Sequence, residues 1–285
     1  EFLIRIKKDQ KVKKTFSKWL IGKGRMQEME LRTPFHALKR AEEVERIVVK
    51  GGRRKYYRFR AAAFYGGLAT ADAVGCCFLC AYCWNLGRNL QPDRAGEFYS
   101  GEEVARILLD IARRKGFRQV RISGAEPILG RESFQHLLEI LEVIRKEAPG
   151  TRFILETNGF MLGYEKDLVR ELARFQRLLI RVSLKALEPE KFEKITGVQG
   201  KFYFYPLQAL INLKEARAHF WPALMSEFFS SEEKQKLKDF LNQNQISPEI
   251  EEEELILYPS VEENLKNRGF KFLGDPKLRK GFCFQ

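Results

Sequence analysis

Short apolar segments and amphipathic segments alternate along most of this 285-residue chain. The first clear amphipathic segment begins at the capping pair Ser100 and Glu103, repeats apolar residues at helical spacing, and ends at Gly116. Apolar runs of strand length follow it, and further helical segments separate them. The predicted strands after this helix lie at residues 119–122, 153–155, 178–184, 219–225 and 255–258.

Repeated strand–helix units of this length predict parallel strands joined by right-handed helical crossovers. With a first strand placed within residues 57–68, the chain holds about six units, whereas a complete (β/α)8 barrel needs about 250 residues. The sequence therefore predicts an α/β fold, a partial (β/α)6 TIM-like barrel of parallel strands with a basic N-terminal extension. A doubly wound sheet is the competing architecture, because periodicity alone does not separate the two. The predicted division is a basic N-terminal extension at residues 1–57, a barrel at residues 58–259 and a C-terminal segment at residues 260–285.

Four of the five cysteines lie within eight residues, and the fifth is Cys283, which has no assigned role. An odd number of thiols, with four so crowded, is a poor disulfide framework and indicates a metal site in a reducing compartment. Cys76, Cys80 and Cys83 have the spacing C-x3-C-x2-C, which allows one loop to surround a small metal centre.

Three thiolates can hold a 4Fe–4S cluster and leave one iron without a protein ligand, so that this iron can bind another molecule. A structural zinc ion would need four ligands, usually from two separated pairs, and the chain has no second pair. Plain buried thiols are the other alternative. The crowding of the cysteines favours the open cluster.

The run Cys-Cys-Phe-Leu-Cys-Ala-Tyr-Cys at residues 76–83 resembles the three-cysteine loop of the radical S-adenosylmethionine (SAM) superfamily. The likeness includes Tyr82, the aromatic residue before the last cysteine. It implies that Cys76, Cys80 and Cys83 bind a 4Fe–4S cluster and that SAM chelates the open iron. The cluster would then cleave SAM to methionine and a 5′-deoxyadenosyl radical. Cys77 completes an alternative C-x2-C-x2-C set, but the family spacing favours Cys76.

Three further segments that follow predicted strands extend this resemblance. Residues 123–127 (Ser-Gly-Ala-Glu-Pro) resemble the Gly-Gly-Glu-Pro segment that binds the SAM amine in the family. Residues 156–159 (Glu-Thr-Asn-Gly) and 183–185 (Ser-Leu-Lys) resemble segments of the glycyl-radical-enzyme activases. Because Glu156 and Ser183 replace aspartates of those activases, an accompanying monovalent cation site is not implied. The residues that the resemblance assigns to SAM binding are Tyr82, Gly124, Ala125, Glu126, Thr157, Asn158, Ser183 and Lys185.

The positive charge of the chain is concentrated near its beginning. Residues 1–60 contain 19 Lys and Arg against 7 Asp and Glu, whereas the whole chain has a net charge of +13. Aromatic residues that could stack on bases lie among the cations, so this segment predicts RNA binding. A solvated lysine-rich surface, as in heat-adapted proteins, and binding to anionic lipid are the alternatives. The residues that carry this prediction are Lys7, Lys8, Lys11, Lys13, Lys14, Lys18, Arg53, Arg54, Lys55, Arg58 and Arg60, with Phe16, Trp19, Tyr56 and Tyr57.

Together these features predict a cytoplasmic radical SAM enzyme that abstracts hydrogen from a substrate, with RNA favoured. An activase acting on a protein and an enzyme acting on a small molecule are the alternatives, and a non-catalytic iron–sulfur or zinc RNA-binding protein is the alternative from another class. The resemblance implies an electron donor of the flavodoxin or ferredoxin type.

Residues 61–84 are weakly polar, but their glycines, Asp72 and cysteines argue against a membrane span. The three histidines, His36, His136 and His219, are predicted to be structural, and the acidic run at residues 251–254 is predicted to be a solvated approach to the last strand.

Overall fold

The structure is a computed structural model, and it describes residues 33–246 and 249–270. Strands and helices alternate through this part of the chain as the sequence predicts. The strands are β1 (Val49–Lys50), β2 (Arg53–Ala62), β3 (Leu68–Ala73), β4 (Glu97–Tyr99), β5 (Gln119–Ser123), β6 (Arg152–Thr157), β7 (Leu178–Leu184), β8 (His219–Met225) and β9 (Glu251–Glu253). The helices are α1 (Ala37–Val48), α2 (Leu86–Leu90), α3 (Gly101–Lys115), α4 (Arg131–Glu147), α5 (Phe160–Tyr164), α6 (Lys166–Leu172), α7 (Pro189–Thr196), α8 (Tyr205–Glu215), α9 (Ser231–Gln243) and α10 (Pro259–Asn267).

All the strands of the described residues belong to one sheet, in the order β1-β2-β3-β5-β6-β7-β8-β9, with β4 paired to β2. Neighbouring strands from β3 to β9 run parallel, whereas β1, β2 and β4 pair antiparallel. The two ends of this order are not paired with each other in the described residues, so the sheet is open. The predicted partial (β/α)6 barrel is confirmed.

One face of the sheet is apolar and packs against the helices. Alternate strand residues such as Ile122, Leu155 and Val182 are buried in the same core as Leu108 of α3 and Leu137 of α4. Alternate residues of a strand point to opposite faces, so this core uses only every second position.

The opposite face carries paired charges, and we call it the ionic face: Thr70, Arg121, Glu156, Arg181 and Glu251. Arg121 donates from Nε to Thr70 Oγ1 at 3.1 Å and from Nη1 to Glu156 Oε1 at 2.6 Å. Arg181 donates from Nε to Glu251 Oε2 at 3.1 Å. Both guanidinium groups are nearly inaccessible to solvent, so pairing with carboxylates is what offsets the cost of their burial.

The last strand differs from the prediction. Residues 255–258 form no strand, and the acidic run contributes β9 instead, with Glu251 opposite Ala223 of β8. The prediction of a solvated acidic segment holds for Glu252 and Glu254, which are exposed, but not for Glu251, which accepts hydrogen bonds from Arg181 and from Trp221 Nε1 at 2.5 Å. The partners of Glu251 come from distant strands, which local hydrophobicity does not reveal.

The first parallel strand also differs from the prediction. It is β3, which begins at Leu68, whereas most of residues 57–68 belong to the antiparallel strand β2 or to the turn after it. Strand β2 therefore extends the sheet beyond the parallel barrel strands.

The first described residues are integrated with the barrel. Helix α1 buries Ala41, Val44 and Val48 in the main core, and β2 pairs with β3. The predicted domain boundary at residue 57 therefore falls inside β2, although the division itself stays a prediction. The basic and aromatic residues predicted between positions 7 and 19, and Cys283, lie outside the described residues. Within the described part of the chain, no helix is both long and apolar enough to cross a bilayer.

Candidate active site

The four clustered cysteines lie in the loop between β3 and α2. Cys76 and Cys83 are partly exposed and Cys80 is 8% exposed, whereas Cys77 is fully buried in the main core. At the start of the loop, Gly75 has a φ of +92°, and a Cβ there would lie 2.7 Å from Val44 Cγ1. This close approach of α1 requires glycine. Cys77 is thus the most buried of the four cysteines, and Cys80 is buried in the same core.

Backbone hydrogen bonds hold the loop against the end of α7. Leu79 N donates to Thr196 O at 3.0 Å, and Ala81 N donates to Ile195 O at 2.8 Å. The amide of Phe78 donates to Cys76 Sγ at 3.4 Å, and Asn89 Nδ2 approaches Cys83 Sγ at 3.8 Å.

The thiols differ in acidity. A hydrogen bond from Cys77 lowers the pKa of Cys76 to about 6, while burial raises the pKa of Cys77. Burial also raises the pKa of Cys80 to about 11 and that of Cys83 to about 12. Ligation by a metal requires the thiolate form, so binding at this loop would release protons.

The donor set fits an iron–sulfur cluster better than a single ion. Among the described residues, no three His, Cys, Asp or Glu side chains converge on one metal ion. In a 4Fe–4S cluster each thiolate binds a different iron, so the three sulfur atoms need not share one ion. Amide donors beside Cys76 and Cys83 are groups that tune such a cluster.

Glu126 joins the loops that follow β5 and β6. Its side chain is 2% exposed, and it accepts hydrogen bonds from Thr157 Oγ1 at 2.7 Å, Asn158 N at 2.7 Å and Ile128 N at 3.1 Å. Burial, and then the nearby Cys76, raise the pKa of Glu126 to about 7. The two segments that the sequence predicted separately therefore form one hydrogen-bonded unit.

Asn158 connects that unit to the cysteine loop. Its Nδ2 lies 3.3 Å from Cys77 Sγ and 3.9 Å from Cys76 Sγ. Its Oδ1 accepts a hydrogen bond from Phe160 N at 2.9 Å, which fixes the orientation of the amide. The carboxyl ends of β3, β5 and β6 thus meet at one place.

The loop after β5 also contacts the cysteine loop. Gly124 has a φ of +86°, and its carbonyl accepts a hydrogen bond from Asn85 Nδ2 at 2.7 Å. Ala125 is partly buried against the main core. The left-handed backbone conformation at Gly124 favours glycine and turns the chain towards Glu126.

The remaining predicted residues lie at the end of β7 and in the cysteine loop. Lys185 Nζ lies 5.4 Å from the ring centroid of Tyr82, and the Tyr82 ring packs at 4.7 Å from that of Phe228. Burial lowers the pKa of Lys185, but Tyr82 and Cys80 outweigh it and raise the pKa overall. Ser183 Oγ instead accepts a hydrogen bond from Arg181 Nη1 at 2.8 Å, so its hydroxyl belongs to the ionic face.

Sequence reasoning missed Arg54 as a component of the site. This side chain is 1% exposed and donates to Glu126 O at 2.6 Å, to Pro127 O at 3.0 Å and to Val74 O at 3.4 Å. Its place among the cations of the predicted RNA-binding segment gives no sign of this burial. Its position in β2 shows that it fixes the backbone on which the Glu126 carboxylate is carried.

The family model of the radical SAM superfamily matches residues 72–221, which contain the cysteine loop, the Glu126 loop and strands β5 to β7. The chain belongs to the radical SAM superfamily. As a radical SAM enzyme it uses a 4Fe–4S cluster and S-adenosylmethionine, so the predicted family, enzyme class and cofactors are confirmed.

Curated relatives are similar to about half of this radical SAM enzyme. GTP 3′,8-cyclase of Microcystis aeruginosa is 31% identical over 126 residues, which are 44% of this chain and 36% of the relative. GTP 3′,8-cyclase of Yersinia pestis is 31% identical over 153 residues, 53% of this chain and 40% of the relative. The probable GTP 3′,8-cyclase of Thermococcus kodakarensis is 34% identical over 126 residues, 44% of this chain and 36% of the relative. The matches thus span no more than 40% of these relatives' lengths.

Two solved structures resemble the fold. SuiB of Streptococcus suis bound to S-adenosylmethionine aligns with a TM-score of 0.52 and 18% identity, over 65% of this chain and 39% of SuiB. A mutant of spore photoproduct lyase aligns with a TM-score of 0.51 and 12% identity, over 75% of this chain and 64% of the lyase. These similarities support the partial barrel.

Proposed function

We propose that this radical SAM enzyme holds its cluster on Cys76, Cys80 and Cys83 and binds SAM at the carboxyl ends of β5, β6 and β7. The observation that carries the proposal is the link from Glu126 through Asn158 to the cysteine loop. Active sites of barrel-like α/β enzymes form at this end of the strands. When bound, the reduced cluster supplies the electron that cleaves SAM to methionine and a 5′-deoxyadenosyl radical.

The chain's own groups suit the charged ends of SAM. A carboxylate has about four acceptor positions, and three internal donors contact Glu126, so one position is left for the SAM ammonium group. The carbonyls around Gly124 are further acceptors for that group, and Lys185 is a cation suited to the SAM carboxylate. Tyr82, Thr157 and Asn158 hold these groups in place, and Ser183 anchors the end of β7 to Arg181.

We infer that the substrate is a small molecule, and a purine nucleotide is the first candidate because the relatives described above are named GTP 3′,8-cyclases. An RNA substrate has no support from the comparisons. The five cations of the predicted RNA-binding set that the structure describes have internal partners. Arg54 and Lys55 donate to backbone carbonyls, Arg58 and Arg60 pair with the buried Asp72, and Arg53 pairs with Glu103. An activase role and the proposed flavodoxin or ferredoxin donor stay predictions.

The experiment is anaerobic purification followed by reduction with dithionite in the presence of SAM. We expect a brown protein with iron for one 4Fe–4S cluster that releases 5′-deoxyadenosine, whereas a colourless zinc-loaded protein would contradict the assignment. Glu126→Ala should keep the cluster but weaken SAM binding, with Glu132→Ala, an exposed acidic residue of α4, as the matched control.

The substrate class is tested by isotope transfer. Incubation with uniformly deuterated GTP, SAM and dithionite should place deuterium in 5′-deoxyadenosine, because the radical takes its hydrogen from the substrate. Transfer from deuterated RNA or from a deuterated cell protein, with none from nucleotides, would refute the small-molecule proposal and favour one of the alternatives.

A further inference from the structure

Two buried arginines reach the cysteine loop from outside the segment that matches the family. Arg40 lies on α1, before that segment, and Arg268 directly follows α10, after it. Each side chain is only 5% exposed. Buried arginines are uncommon unless a specific charge or hydrogen-bond arrangement holds them.

Arg268 fastens the cysteine loop to the end of α7. Its Nη2 donates to the carbonyl of Leu79, the residue before Cys80. Its Nη1 donates to Ile195 O at 2.9 Å and approaches Lys194 O at 3.4 Å. Carbonyls at the end of α7 also accept hydrogen bonds from backbone amides of the cysteine loop. The Arg268 guanidinium therefore strengthens a contact that backbone hydrogen bonds already make.

Arg40 contacts α2, the helix that follows the cysteine loop. Its Nη2 donates to Asn89 O at 2.8 Å, and its Nε has no hydrogen-bond partner among the described residues. Asn89 accepts from Gly75 N at 3.2 Å through Oδ1 and approaches Cys83 Sγ at 3.8 Å through Nδ2. Arg40 therefore supports the residue that contacts Cys83.

Both side chains bring positive charge close to the cysteines. Burial lowers the pKa of Arg268 to about 10, with Cys80 and Cys83 opposing the shift, so this guanidinium stays charged at neutral pH. Burial also lowers the pKa of Arg40, and Cys76 and Cys77 oppose that shift. Charges interact more strongly in a poorly solvated interior than at the surface.

Reduction of a thiolate-bound cluster adds negative charge to the site. Nearby positive charge stabilises the more negative state, and the potential of an iron–sulfur cluster depends on net charge, hydrogen bonds and solvent exposure. Neither Arg40 nor Arg268 lies in residues 72–221, the segment that matches the family model. The stabilisation of the reduced cluster would therefore come from the segments before and after it.

We propose that Arg268 and Arg40 are positioning residues that raise the reduction potential of the cluster by placing fixed positive charge beside the cysteine loop. This inference rests on the proposed assignment of Cys76, Cys80 and Cys83 as ligands. Arg268 has a second task, to hold the backbone at Leu79.

The experiment is a potentiometric titration, followed by electron paramagnetic resonance, of the full chain loaded with its cluster. Arg268→Gln and Arg40→Gln should each lower the potential, by about 59 mV for a tenfold smaller ratio of reduced to oxidised cluster. Arg268→Lys should keep the potential closer to that of the wild type because it keeps the charge. The matched control is Arg114→Gln on α3, which removes an exposed arginine.

Unchanged potentials in both glutamine variants, with full iron content, would overturn the proposal. If Arg268→Gln loses iron, the potential of Arg40→Gln decides: a potential below that of the wild type supports the proposal, and an unchanged potential contradicts it. Failure of the cysteine assignment has a different signature, because replacing Cys76, Cys80 or Cys83 by Ala would then leave the 4Fe–4S absorbance in place.

Discussion

Replacing Thr157 by Val tests whether the Glu126 network supports SAM binding. The change keeps the shape of the side chain but removes the hydroxyl that donates to Glu126 Oε1 at 2.7 Å and accepts from Gly159 N at 3.0 Å. A hydrogen bond to a charged group is worth about 1.5–3 kcal/mol and a neutral one about 1 kcal/mol. We therefore expect Thr157→Val to lower the free energy of unfolding by about 3 kcal/mol.

Thr196→Val is the matched control. Thr196 is also buried, and its hydroxyl donates to Phe192 O at 2.7 Å and accepts from Val198 N at 3.1 Å, so it loses two neutral hydrogen bonds. Its expected cost is about 2 kcal/mol. The difference of about 1 kcal/mol corresponds to roughly 2–4 °C in Tm for a domain of this size.

The assays are anaerobic urea unfolding and SAM titration at pH 8, above the Glu126 pKa of about 7. Thr157→Val should weaken SAM binding about tenfold, equivalent to about 1.4 kcal/mol, because the carboxylate loses one of its three fixed donors. Thr196→Val should leave SAM affinity unchanged. Equal stability losses and equal SAM affinities in the two variants would refute the reasoning.

Three further predictions concern the ligand register, the buried histidine and the buried arginine of β2. Cys76→Ala should abolish the 4Fe–4S absorbance and Cys77→Ala should retain it; the reverse result would move the register by one residue. On lowering the pH from 7 to 5, the wild type should lose about 2 kcal/mol more unfolding free energy than His136→Gln. Burial lowers the pKa of His136 from 6.5 to about 4, so its contribution is present above pH 6.5 and is lost as the pH falls towards 4; an equal fall of the urea midpoint between pH 7 and pH 5 in the two proteins would contradict this. Arg54→Met should cost at least about 3 kcal/mol because it leaves buried carbonyls unpaired, and an unchanged thermal midpoint would exclude that role.

The strands that pack against the helices were predictable from sequence. Residues 178–184 and 219–225 were predicted with the bounds that β7 and β8 have in the structure. Their burial is decided by local hydrophobicity, so the pattern is visible in the residues themselves. The capping pair Ser100 and Glu103 also forms the predicted reciprocal hydrogen bonds at the start of α3.

Elements stabilised by charges from distant strands were not predictable in the same way. Strand β9 is held by Glu251, whose partners Arg181 and Trp221 are 70 and 30 residues away. Strand β2 contains Arg54 and Arg58, which local composition assigns to the surface but which have buried partners. The cysteine motif could be found from spacing alone, whereas the contact between Asn158 and the cysteines depends on the pairing of β3, β5 and β6, which are far apart in the sequence.

Through its three hydrogen bonds, Arg54 supports the segment that matches the family model from β2, a strand that lies before that segment. Removing residues 1–57 would take away this guanidinium together with α1, and the turn that carries Glu126 would lose its main support. Such a truncation would therefore report on the integrity of the catalytic centre as much as on any task of the N-terminal segment. Removing only residues 1–32 would leave Arg54 and α1 in place. Comparing the two truncations would therefore separate the loss of support for the Glu126 turn from any task of the N-terminal segment.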